Sequence, residues 1–150
     1  MKNYLNKVSD FHKAFGVDSA EHPINVAPEL IELRASLLEE ENEEYKEAAL
    51  NNDLVEISDA LGDQLYIVLG TILTHGMQDI IGEVFDEIHR SNMSKLGEDG
   101  KPIINGVNGH DPNKPKGKIL KGANYFEPNL SKILKKVSPE VVGRQLKFDF

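Results

Sequence analysis

Residues 37 to 50 read LLEEENEEYKEAAL and carry six glutamates. Carboxylates at helical spacing can hold a hard divalent cation, take a proton from water, or face solvent. A helical wheel at about 100° per residue separates these uses. Leu30, Leu33, Leu37, Leu38, Tyr45 and Ala48 share one arc, and Glu41 and Glu44 fall inside it. Glu32, Glu39, Glu43 and Glu47 lie opposite, as solvated glutamates should, with Glu40 at the border. An ionised carboxylate on an apolar face is costly unless it is paired, hydrogen-bonded or bound to metal. The i, i+3 spacing of Glu41 and Glu44 lets both reach one ion. The plainer alternative is that this end of the helix projects beyond the core and the whole run is solvated.

A second segment repeats the pattern. Leu54, Ile57, Leu61, Leu65, Val68 and Ile72 make an apolar stripe, while Glu56, Asp59 and Asp63 share a different arc with Tyr66, Ile67 and Gly70. Packed antiparallel, the two helices would set their acids face to face, and a cleft of four or five carboxylates suits magnesium or manganese. Further on, Ile81, Val84, Phe85 and Ile88 form an apolar arc that Asn92 and Lys95 continue. Both are ordinary surface or capping residues unless that inward direction gives them a phosphate or metal-shell role.

The elements that must position these groups follow from periodicity and stop signals. Leu5, Val8, Phe11 and Phe15 predict a helix over 4–15 that halts at Gly16. Pro28 suits the first turn of a second helix reaching Leu50, and Asn51, Asn52 and Asp53 form a turn and cap. A third helix is expected from about Asp53 to His75, a fourth from about Gln78 to Lys95, and a short one near 131–136. The reading is all-α: an antiparallel bundle of four to five helices with a Gly/Pro/Lys-rich C-terminal extension. One domain spans 1–150, with a helical body over about 1–96 and a wrapping tail over about 97–150.

Composition narrows the function. The chain has 150 residues, a net charge of -8 and no cysteine, which excludes thiol chemistry, disulfides and zinc fingers and suits a reducing cytoplasm. Residues 1–100 carry about -14 and residues 101–150 about +6. The acidic body argues against nucleic-acid binding, while a small phosphate ligand bridged to the acids by a cation is compatible. No apolar run approaches a membrane span, so the protein is expected to be cytoplasmic.

EENEE at 40–44, with Arg34 and two leucines ahead and Ala48 behind, resembles the first metal motif of the all-α nucleoside triphosphate pyrophosphohydrolases, the MazG-like group. EISDALGDQLYIVLGT resembles their second motif. FHKAFG, IHRSNMSKLGEDGKP and GKILKGANYFEPNL make nearly the whole chain similar to the phosphoribosyl-ATP pyrophosphohydrolase-like branch. Two registers remain open for the second motif. Literal ExxD is Glu56 and Asp59, whereas ungapped alignment with the commoner family pattern puts Asp63 at the aspartate and Ala60 at the glutamate.

The resemblance implies magnesium-dependent (or manganese-dependent) hydrolysis of a nucleoside triphosphate or phosphoribosyl nucleotide to a monophosphate and pyrophosphate. On that basis Glu41, Glu44, Asp59 and Asp63 are expected to bind metal, and Glu44 or Glu56 to take the proton of the attacking water. Asn92, Lys95, Lys118, Lys121 and Tyr125 are expected to contact the nucleotide, and Arg34 to pair with an acid or a phosphate. A homodimer or a dimer of dimers is implied as well. Two competitors differ in class. A di-iron bundle needs a Glu-x-x-His motif on two helices, and only Asp86-x-x-His89 comes near it. A non-catalytic helical adaptor would leave the acids solvated.

Overall fold

The computed structural model describes residues 1–138; the last part of the expected tail, 139–150, lies outside the described residues. The order is α1 (Lys2–Phe15), α2 (Pro28–Leu50), α3 (Leu54–Thr74), α4 (Ile81–Met93) and α5 (Leu130–Val137). No strand occurs among the described residues, only two isolated bridges, Ile104 with Ile119 and Asn105 with Gly109. The all-helical expectation is therefore met, with five helices among the described residues.

The described residues divide into two compact units, 1–81 with 137–138, and 82–136. The composition change near 96 is not where the structure divides, because α4 is bonded to the loop that follows it. In the first unit α1 stops at Gly16, whose φ of 68° is left-handed. Pro28 opens α2, where its missing N–H costs nothing. The Asp53 carboxylate caps α3 by accepting from the Val55 and Glu56 amides at 3.0 and 3.2 Å. Asp53→Ala removes that acceptor and should cost about 1 kcal/mol. A melting temperature lower by about 2–4 °C would be read by circular dichroism.

Leu5 and Val8 of α1 pack with Leu69 and Leu73 of α3 as a small core, flanked by Ile72 and Ile81. Most of the rest of the α3 stripe faces outward: Leu54, Leu61, Leu65 and Val68 are 76, 49, 52 and 41 % exposed, while Ile57 is half-buried. The buried residues of α3 are Ala60, Leu69, Gly70, Leu73 and Thr74. Gly70 admits Arg34 of α2 on the arc that also carries the acids, while Leu61 and Leu65 are left outside. α4 begins three residues later than periodicity suggests. The Met77 carbonyl accepts from Ile80 and Ile81, and the Gln78 side chain donates to the Ala20 carbonyl at 2.9 Å, so these residues serve a turn.

In the second unit, Ser91 Oγ of α4 donates to the Phe126 carbonyl at 2.8 Å, and Arg90 lies over the Phe126 ring at 4.2 Å. Glu87 takes two 2.8 Å hydrogen bonds from Arg90 and one of 2.7 Å from the Asn129 amide. Those donors hold its carboxyl at about 2, Arg90 contributing most. The folded value lies below the ordinary 4.5, so the stability Glu87 supplies is present above 4.5 and is lost as pH falls from there towards 2. Glu87→Gln should flatten that acid limb in pH-dependent denaturation, whereas an unchanged limb would place the loss elsewhere.

Candidate active site

α2 and α3 are joined by a three-residue turn and run back along each other, pinned at two places. Gln64 Nε2 donates to the Glu41 carbonyl at 3.2 Å and to Asn42 Oδ1 at 3.3 Å. Two turns up α2, Arg34 Nε donates to Thr71 Oγ1 at 3.0 Å while its Nη2 reaches the Ile67 carbonyl. Thr71 Oγ1 in turn donates a hydrogen bond to that same carbonyl at 2.8 Å. The expectation that Arg34 pairs with an acid is corrected. Among the described residues it has no ion-pair partner, and it binds α3 backbone and hydroxyl instead.

Gly70 makes that contact possible. A Cβ there would stand 2.5 Å from Arg34 Nη2 and 3.1 Å from His12 Nε2. His12 is 3 % exposed, with Nδ1 2.8 Å from Ser19 Oγ. Burial, and then the Arg34 charge, push its pKa down, so at neutral pH it is an uncharged neighbour of the guanidinium.

These pins fix the part of α2 that faces the α3 acids. Glu41 is half-buried, and its Oε2 is shut off from solvent with no hydrogen-bond partner. Its pKa is pushed up, first by desolvation and then by Glu44, Asp63, Glu40 and Asp59. Those neighbours define the acid group: Glu44 and Glu40 from α2, Asp59 and Asp63 from α3. Glu44, Asp59 and Asp63 are exposed. Glu56 is not among the acids acting on Glu41. It lines a separate cleft of about 350 Å³ with Glu44, Glu47 and Asp53 beside the helix turn. Among the described residues no three His, Asp or Glu side chains, as they stand, are gathered closely enough to hold a metal ion.

In the second unit, Lys95 Nζ donates to Asn92 Oδ1 at 2.6 Å, and Lys121 Nζ lies 4.1 Å from the Tyr125 ring centroid. Lys95, Lys118 and Lys121 line one cleft, whereas Asn92 and Tyr125 are not part of its wall.

A family model for phosphoribosyl-ATP pyrophosphohydrolase matches residues 8–92, more than half of the chain and all of the acid-bearing α2–α3 pair. The chain belongs to the phosphoribosyl-ATP pyrophosphohydrolase family. This family lies within the MazG-like all-α nucleoside triphosphate pyrophosphohydrolases, as the motif resemblance implied. Among curated proteins, the chain is similar to "Uncharacterized protein L479" of Acanthamoeba polyphaga mimivirus, 32 % identical over 104 residues. That match covers 63 % of this family member and 36 % of the viral protein, so the chain spans about a third of its relative's length.

Sequence reasoning missed Gln64 and Gly70. Gln64 follows Asp63 and reads as an ordinary polar helix residue; only the packed pair shows its amide on the Glu41 carbonyl. Gly70 inside an apolar helix was the available signal, since an interior glycine marks a close approach.

Proposed function

We propose that the chain hydrolyses a nucleoside triphosphate or a related nucleotide to the monophosphate and pyrophosphate, using a divalent cation held by Glu41, Glu44, Asp59 and Asp63. The observation that supports this reading most is the buried, partnerless Glu41 oxygen amid four other carboxylates. Such an atom is costly without a counter-charge, and an all-oxygen donor set suits magnesium or manganese. The exposed side chains of Glu44, Asp59 and Asp63 can turn towards Glu41, whose backbone Gln64 holds in place.

A bound divalent cation supplies charge neutralisation for the phosphates and acidifies water. The residues supply the rest. Water forms a new O–P bond at the α phosphorus, the bridging Pα–O bond breaks, and pyrophosphate leaves with the electron pair. The water's proton goes to the Glu44 or Glu56 carboxylate, which line one cleft. Asn92, Lys95, Lys118, Lys121 and Tyr125 are assigned to nucleotide contact. The outward stripe of Leu61, Leu65 and Val68 is assigned to a second copy of the chain, in a homodimer or dimer of dimers. Leu69, beside Val68 on the same helix, belongs to the core.

The test is pyrophosphate release from a panel of nucleoside triphosphates and phosphoribosyl-ATP with magnesium. Turnover of at least one, lowered about 10²–10⁴-fold in Glu44→Ala, is expected. Equal turnover by variant and parent removes Glu44 from the site. Magnesium-independent melting together with no turnover of any substrate favours the adaptor reading.

A further inference from the structure

We infer that the second unit contains an anion site for a condensed phosphate chain, built by the loop after α4. Lys95, Lys114, Lys118, Lys121 and His110 line a single cleft of about 530 Å³ in which Asp111 is the only acid among the described residues. The inference rests in part on the hydrolase reading, which already assigns Lys95, Lys118 and Lys121 to the nucleotide; it adds Lys114 and His110 and needs neither the acids nor a metal.

The cluster is organised by a buried scaffold. Asn105 is 4 % exposed, and its side-chain amide donates to the carbonyls of Asp111, Lys114 and Pro115 at 3.0, 2.7 and 3.2 Å. Its Oδ1 accepts from the Asp111 amide at 2.8 Å. Its backbone pairs with Lys118 O and Gly117 N, each at 2.9 Å. One asparagine thus fixes the backbone on both sides of Lys114 and up to Lys118. The Leu120 amide donates to the Ile103 carbonyl at 2.8 Å, and the Gly122 amide donates to the Lys95 carbonyl at 3.0 Å. A side chain at Gly122 would collide with the Leu96 carbonyl oxygen, so glycine admits the loop to the end of α4 and brings Lys121 beside Lys95.

Like charges gathered by a fixed backbone repel unless an anion offsets them. Among the described residues Lys114 and Lys118 have no carboxylate within ion-pair distance, and Lys121 has only Glu127 at 4.0 Å. Four ammonium groups against one carboxylate match the multiple charges of a di- or triphosphate better than those of a monoanion. Ammonium groups bind phosphate as point charges and tolerate varied chain geometry.

Calorimetric titration of the full chain with inorganic pyrophosphate in EDTA tests the site, with a second arm using a non-hydrolysable α,β-methylene nucleoside triphosphate. Saturable binding in either arm is expected, weakened at least about tenfold in Lys114→Ala/Lys118→Ala, with both side chains exposed and the melting temperature of the variant kept. Tighter binding of the nucleotide identifies the ligand as a nucleotide's phosphate tail, and equal binding identifies it as free pyrophosphate. No saturation in either arm, binding indifferent to the double substitution, or binding of a single-stranded oligonucleotide without pyrophosphate would overturn the inference. Because EDTA prevents turnover, failure here removes these lysines from nucleotide contact but leaves the carboxylate site of the hydrolase reading standing, and an inactive enzyme leaves this site standing.

Discussion

Glu41→Gln is expected to make the cation-free protein more stable at pH 7 and to abolish its stabilisation by magnesium. Two effects of opposite sign arise from one atom. Without a cation, the Glu41 carboxylate is desolvated and faces Glu44, Asp63, Glu40 and Asp59. Its folded pKa therefore stands above the ordinary 4.5. From 4.5 up to that raised value the folded state holds more protons than the unfolded one, so stability falls as pH rises through the window. Glutamine carries no charge and escapes the penalty. Relief of the i, i+3 repulsion with Glu44 alone amounts to about 0.2–0.5 kcal/mol. The gap between variant and parent should close below pH 4.5, where the parent carboxyl is protonated in both states.

Adding a cation reverses the order. A ligand at a hundred times its Kd stabilises the folded state by about 2.7 kcal/mol, a rise of roughly 5–11 °C in the melting temperature of a chain this size. The parent should show that rise and Glu41→Gln should not. Differential scanning calorimetry across pH 4–8, with and without magnesium, checks both halves. An apo variant less stable than the parent at pH 7 would show that Glu41 already has its counter-charge within the protein.

Gly70→Ala is expected to cost about 1–3 kcal/mol, the usual range for overpacking. The added methyl meets Arg34 Nη2 at 2.5 Å and His12 Nε2 at 3.1 Å. Relief by moving Arg34 breaks its bonds to Thr71 and the Ile67 carbonyl, the upper of the two pins between α2 and α3. Asp63 lies one turn below Ile67, so slippage there displaces the α3 acids from Glu41. Magnesium affinity should fall along with stability. Chemical denaturation gives the first quantity and calorimetric titration the second. Arg34→Ala in the Gly70→Ala background should cost far less than in the parent, since the methyl then has room. Full additivity of the two changes would disconnect Gly70 from the pin.

Much of the scaffold was legible because its signals are local. Gly16, Pro28 and Asp53 mark three helix ends that the structure reproduces, and each acts through its own backbone geometry or a cap within three residues. The start of α4 was not legible, since Gln78 and Met77 are claimed by long-range bonds to Ala20 and a turn that no periodicity encodes. The α3 stripe was recognised as apolar, but its direction was not fixed by the wheel. Two faces were available, and Gly70, against which Arg34 of α2 packs, lies on the one that α2 approaches. The same choice turned the arc of Asp59 and Asp63 towards Glu41, while Glu56, one turn nearer the Asp53 cap, went to a different cleft. Choosing between the two registers of the second motif is a question about packing, which a wheel cannot pose. The acid partner expected for Arg34 failed for a related reason: a charged residue on an acid-bearing arc suggests a carboxylate partner, yet a glycine notch and a carbonyl on α3 received it.

The central claim is that carboxylates from α2 and α3 together hold one divalent cation. Electron paramagnetic resonance of free manganese, titrated against the parent, Glu41→Gln and Asp63→Asn, addresses it directly. The account predicts saturable manganese uptake by the parent that is weakened by a change on either helix. Uptake unchanged in both variants, or none in the parent, would contradict it.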